Sequence, residues 1–212
     1  MPSSISENIS KPNTMTLIGQ GQVTFDPDLA IIRLGVQTTG QNANSTQAEN
    51  SKVSNAVLQA LKQTDIASIK TYQYIIDKVY DFENGNRVDK GYLVRNTLEI
   101  TTNRLEQVGL IIDTAVNYGA NFVELIEFGS SNPDIYYQQA LNLAVMNAIQ
   151  KANSISKQLD IVAKPVILHI IETSSTPFPT SQFRTVQEGG LITPIEPGQK
   201  QVNAQVSVEF SF

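Results

Sequence analysis

The chain has 212 residues, 41% of them hydrophobic and 17% charged, which is enough to bury one good core and excludes disorder throughout. Its net charge of −5, with Lys and Arg scattered, excludes the basic footprint that binding to nucleic acid requires. There is no cysteine, so disulfides, thiolate nucleophiles and Cys-ligated zinc are excluded, and no apolar run approaches the roughly 20 residues of a membrane-spanning helix.

Residues 1–14, MPSSISENISKPNT, read as a flexible lead-in. They lack the basic start and apolar stretch of a secretory signal, although a segment of this kind is also what remains once a signal has been removed. From Leu17 the odd positions Leu17, Gly19, Gly21, Val23 and Phe25 form one face of a strand. Asp26-Pro27-Asp28 reads as a turn, after which Ala30, Ile32, Leu34 and Val36 resume the alternation, so a β-hairpin is expected. The two glycines precede strand residues rather than a helix N-terminus, with no third glycine and no Lys-Ser/Thr. Close backbone packing is therefore favoured over a phosphate loop. Asp26 and Asp28 supply too few oxygens for calcium, and no metal site is expected.

In NANSTQAENSKVSNAVLQALKQ the period changes. Val53, Ala56, Val57, Ala60 and Leu61 follow helical spacing, with Thr46 and Glu49 spaced as a capping box. A second hairpin is expected from Tyr72–Tyr80, the turn pair Asn84-Gly85, and the alternation of Val88, Tyr92, Val94, Leu98 and Ile100 with Asp89, Arg95, Thr97, Glu99 and Thr101. Asn103 is placed to cap a helix bearing Leu105, Val108, Ile112, Ala115 and Val116, which Gly119 can end. A short strand, Phe122–Phe128, follows. Asn132-Pro133 then opens the longest helix, to about Leu159, with Ala140, Ala144, Ala148 and Ala152 on one stripe; a groove within the chain is favoured over a subunit contact. Lys164–Glu172 reads as an apolar strand, 174–198 as a long loop, and Val202, Ala204, Val206, Val208, Phe210 and Phe212 as a regular last strand. The order of elements predicts an α+β fold, mainly antiparallel β-sheet of hairpins covered by about three helices.

Few residues offer chemistry. His169 is the only histidine, so sites built from several His ligands are excluded, and a histidine serving the sheet is favoured over a general base. Glu124 and Glu127 fall on opposite faces of a regular strand and do not form an acid–base pair by spacing. No nucleophile motif is present, so no catalytic residue and no cofactor site are assigned.

Taken together, G-x-G followed by Pro-Asp-x-Ala (Gly19, Gly21, Pro27, Asp28, Ala30), Asp65-x3-Ile69-x-Thr71, Gly91-Tyr92, Gly119-Ala120-Asn121 ahead of a strand ending in Phe128, the Ala-rich helix, and Pro197-Gly198 before the Val-rich last strand resemble the SIMPL-domain proteins over nearly everything after Met15. In place of the glycines that many members carry after the long helix, this chain has QLDIVAK. The resemblance implies a single domain over 15–212, with Gly19, Gly21, Pro27, Asp28, Gly91, Tyr92, Gly119, Asn121, Pro197 and Gly198 in structural roles. It further implies no identified catalytic centre, loose links to oxidative stress and the cell envelope, and assembly of some members into large rings.

The expected function is thus that of a non-enzymatic envelope or stress-associated protein acting by self-association, as a homo-oligomer or with a protein partner. The compartment expected is periplasmic or exported if the chain is a mature fragment, and cytoplasmic otherwise. The alternatives are a hydrolase using acidic residues with His169, and a signalling adaptor. In the 174–198 loop Phe178, Phe183, Leu191, Ile192 and Ile195 supply more apolar surface than a solvated loop needs, so they form the candidate interaction surface, with folding back over the chain's own sheet edge as the equal alternative.

Overall fold

The computed structural model describes residues 13–83, 86–174 and 193–212. The element order is β1 (Thr14–Phe25), β2 (Leu29–Gly40), α1 (Ala43–Leu61), β3 (Ser68–Glu83), β4 (Asn86–Thr102), a 3-10 turn (Leu105–Gln107), α2 (Val108–Asn117), β5 (Phe122–Gly129), α3 (Pro133–Gln158), β6 (Val166–Glu172) and β7 (Lys200–Ser211). This is the expected α+β class, with its strands in two antiparallel sheets.

The chain divides into two compact units, each with its own sheet and core. One contains β2, α1, β3, β4, α2 and β5, with strand order β3-β4-β2-β5. Its core sets Ile32, Leu34, Leu98 and Ile100 of the sheet against Val57 and Leu61 of α1 and Val108, Ile111 and Ala115 of α2. The other contains β1, α3, β6 and β7, with strand order β1-β7-β6. There Val206, Val208 and Phe210 of β7 are buried with Phe25 and the stripe Ala140, Ala144, Ala148 and Ala152, a groove within the chain.

The first two strands do not form the expected hairpin. β1 belongs to the sheet of β6 and β7, whereas β2 pairs with β4 and β5. The Asp-Pro-Asp stretch ends one strand and begins another without folding them together, because their apolar faces enter different cores: Leu17, Val23 and Phe25 one, Ala30, Ile32 and Leu34 the other. The second hairpin is present, with Glu83 opposite Asn86; Asn84-Gly85 lies outside the described residues.

Two helix starts also differ from expectation. The cap of α1 is Asn42, in extended backbone, whose side-chain oxygen accepts from the N–H groups of Asn44 and Ser45. Thr46 is already inside the helix, its hydroxyl donating to the Asn42 carbonyl at 2.7 Å, so no box forms with Glu49. Ala56 is exposed, and the buried face instead carries Thr46, Asn50 and Ser54 ahead of Val57. Asn103 does not cap α2. The chain passes through the 3-10 turn first, and Thr102 Oγ1 accepts from Arg104 N–H; Val116 then points outward while Ile111 is buried.

Candidate functional site

The most polar cluster of the described residues lies on the four-stranded sheet, on the face opposite Ile32, Leu34 and Ile100. Strand alternation puts Arg33 there on β2, and the register sets it across from Glu99 of β4, which in turn faces Lys70 of β3. Arg33 Nε donates to Glu99 Oε2 at 2.8 Å, and Lys70 Nζ lies 2.9 Å from Oε1. Glu99 is only 8% exposed, and hydrogen bonds from Lys70 and then Arg33 hold its carboxyl below the ordinary carboxylate range, while the Glu99 hydrogen bond raises Arg33. A bulge in β3 releases Tyr72 from pairing, and the Arg33 guanidinium sits 3.7 Å from its ring centre. Further along this face Arg95 donates through Nε and Nη2 to Gln37 Oε1 at 3.0 and 2.6 Å and lies over Phe122.

Chemically this cluster binds itself. Both oxygens of Glu99 are occupied by cations, which keeps the group ionised near neutrality and unsuited to donating a proton. Arg33 and Lys70 escaped the sequence reading, and Tyr72 and Glu99 appeared there only as strand residues. The available signal was that Arg33, Lys70 and Glu99 stand on three strands of one sheet, but the register that aligns them is not encoded in any single segment.

The residues named from sequence fall into separate structural tasks. A Cβ on Gly21 would lie 1.9 Å from the Ala140 carbonyl oxygen, and one on Gly19 2.0 Å from that of Ala144, so both glycines admit α3 against β1. Asp28 accepts from Ser131 N–H at 2.6 Å and from its hydroxyl at 2.8 Å, which lowers its carboxyl, and Asp26 accepts from Gln199. Pro27 is half-buried between them. Gly91 adopts a φ of +92° beside Gly40, its N–H held by Asp89, and Tyr92 is half-buried next to Lys78. Gly119, at φ +109°, ends α2: its N–H bonds to the Val116 carbonyl and that of Ala120 to the Ala115 carbonyl. Asn121 then pairs with Gln37 through both its oxygen and its amide, in the manner of a strand backbone. Among the described residues no three His, Asp or Glu side chains gather to hold a metal.

Glu127 faces Ile31 on the Arg33 side of the sheet. Glu124 falls at a bulge between β2 and β5, which interrupts the alternation used to place the two glutamates on opposite faces, and its charge contributes to raising Arg33. Of the candidate interaction surface, Phe178, Phe183, Leu191 and Ile192 lie outside the described residues. Ile195 packs on the core of the four-stranded unit, two residues after Thr193 bonds to Asp113 through N–H and hydroxyl. Pro197 is half-buried, and Gly198 has open space where a side chain would stand.

His169 lies on β6, facing Glu209 of β7. Every residue of β6 is exposed although Val166, Ile167, Leu168, Ile170 and Ile171 are apolar, Val166 by 59% and Ile171 by 51%. The periodicity of VILHIIE told of a strand and not of this exposure. β6 ends its sheet, and no other described strand pairs with its outer edge.

Residues 15–210 match the model of the SIMPL family, described as a protein of unknown function (DUF541). The chain is 28% identical over 225 residues to the 26 kDa periplasmic immunogenic protein of Brucella melitensis, covering 99% of this chain and 90% of that protein. It is 25% identical over 149 residues to the uncharacterized protein YggE of Escherichia coli K12, covering 68% of this chain and 61% of that protein. A similar match, 23% over 154 residues, is to YggE of Edwardsiella ictaluri, covering 70% and 63%. The match across almost its whole length establishes that this chain belongs to the SIMPL family.

Proposed function

We propose that this chain is a non-enzymatic, exported protein of the cell envelope that works by associating with copies of itself. The observation that carries the reading is β6, an apolar strand exposed along its whole length at the border of a sheet. Unprotected edges of this kind template pairing with another chain, and monomeric proteins blunt them with charge, proline or bulky cover. The self-contained Arg33–Glu99–Lys70 cluster supports a surface rather than a catalytic role, since its carboxylate is already neutralised. Export is supported by the Brucella relative, which is named periplasmic.

The test is the mass of the purified protein by light scattering across a dilution series. A multiple of 23.3 kDa that persists into the micromolar range is expected, and a monomer throughout would overturn the reading. Fractionation of cells expressing the natural gene should find the protein outside the cytoplasm. The link to oxidative stress, carried by family resemblance, predicts that a deletion strain is more sensitive to peroxide and is rescued by the gene.

A further inference from the structure

We infer that β6 is the contact itself, pairing antiparallel with β6 of a second copy about a two-fold axis so that two three-stranded sheets become one of six strands. The inference rests on the self-association proposed above and specifies the surface that mediates it. The segment between Lys164-Pro165 and Glu172 carries no charge and no proline, so nothing along it opposes an incoming strand. The charges stand at its two ends, Lys164 at one and Glu172 at the other. Antiparallel alignment of two copies brings the Lys164 end of each to the Glu172 end of the other, whereas parallel alignment would set like charge beside like. This polarity favours a second copy of the same strand as the occupant.

The bulge fixes the register. Across from β7, Ile167 pairs with Phe210 and His169 with Glu209, so Leu168 is the extra residue and the alternation changes phase there. Ile167, Ile170 and Glu172 consequently share the face of Phe210, Val208 and Val206, on which Glu172 accepts from Tyr137 of α3. Val166, His169 and Ile171 share the other. Opposed residues in a paired sheet must lie on the same face, and centring the axis between Leu168 and His169 satisfies this for both halves of the strand. Ile170 then opposes Ile167 of the second copy on one face, and Ile171 opposes its Val166 on the other. Each of these four side chains is at least 38% exposed in the isolated chain, and across the axis each meets one apolar partner, so that both faces of the ribbon gain an apolar pair.

The experiment uses the full chain, which has no native cysteine. Ile167→Cys and Ile170→Cys chains, co-refolded and oxidised, should yield a disulfide-linked heterodimer, because these positions face one another across the axis. Each variant alone should not, since its own two copies of the cysteine lie three residues apart along the strands, about 10 Å and beyond disulfide reach. In parallel, Ile167→Lys with Ile170→Lys should lower the assembled mass at least twofold while the circular dichroism is retained. A monomeric wild type would overturn both the self-association and this surface. An assembled wild type whose mass survives the lysines, or which gives no mixed disulfide, would overturn the β6 contact and leave self-association standing. Should the lysine variant fail to fold, the cysteine pair decides alone.

Discussion

At Gly21 the space for a side chain is already taken by backbone: the Ala140 carbonyl oxygen stands 1.9 Å from where a Cβ would be, and the Ala144 nitrogen 2.5 Å. A flexible neighbour could move aside, but a helix backbone cannot without displacing β1. Gly21→Ala should therefore destabilise by about 1–3 kcal/mol or more, read as a lower urea midpoint. Asn50 is the opposite case, a polar side chain made indispensable by burial. Its Nδ2 donates to the carbonyls of Val36 at 2.9 Å and Val94 at 3.1 Å, and its oxygen accepts from Ser54. Asn50→Ala should cost about 1–3 kcal/mol, and Asn50→Asp more, because it would aim a carboxylate at two carbonyl oxygens. Glu99 adds a pH dependence. Its folded carboxyl titrates below its ordinary value of 4.5, so the stability it contributes is fully present above that pH and is lost as pH falls through the folded value. Unfolding free energies measured from pH 7 down to pH 3 should fall less steeply for Glu99→Gln than for the wild type. Equal slopes would mean that the ion pairs with Arg33 and Lys70 do not bias folding.

The same contrast between local and distant partners explains what could be read at the scale of elements. The end of α2 was legible because its cause is local: a residue with positive φ is needed, Gly119 supplies it, and the two reversed hydrogen bonds follow. Gly119→Ala should cost roughly 1–2 kcal/mol from the backbone conformation alone. Val53 Cγ1, 2.5 Å from the new Cβ, adds to that, and the loss should appear as faster amide exchange at Ala120 and Asn121. Element types and order were likewise legible, since periods of two and of about three and a half residues are written into each segment. Pairing was not. Asp26-Pro27-Asp28 punctuates the chain without specifying whether the next strand folds back, and only the separate burial of Phe25 and Ala30 decides it. The start of α1 was misplaced because Thr46-Glu49 has the spacing of a cap, while Asn42 has the extended backbone that a cap requires. For the site the deficit is larger. The cluster of Arg33, Lys70, Tyr72 and Glu99 depends on the registers of three strands and on a bulge at Tyr72, none of which an isolated segment reveals.

Over the whole molecule the two units differ in how their sequence is distributed. The strands and helices of the four-stranded unit run uninterrupted from β2 to β5, whereas β1, α3, β6 and β7 come from separate stretches, and β7, the last strand in the order, occupies the middle of its sheet. A chain ending at Gln199 should keep β2 and β4 protected in amide exchange while β1 and β6 exchange freely, and equal protection in both sheets would contradict the division into units. The late position of β7 also concerns synthesis. Until the ribosome has made β7, β1 and β6 have no strand between them, and VILHIIE is bare along both edges at once. The cell must carry that strand uncovered until Lys200–Ser211 arrives. A premature stop ahead of β7 would make the condition permanent, turning a chain with every other strand in place into one that clumps.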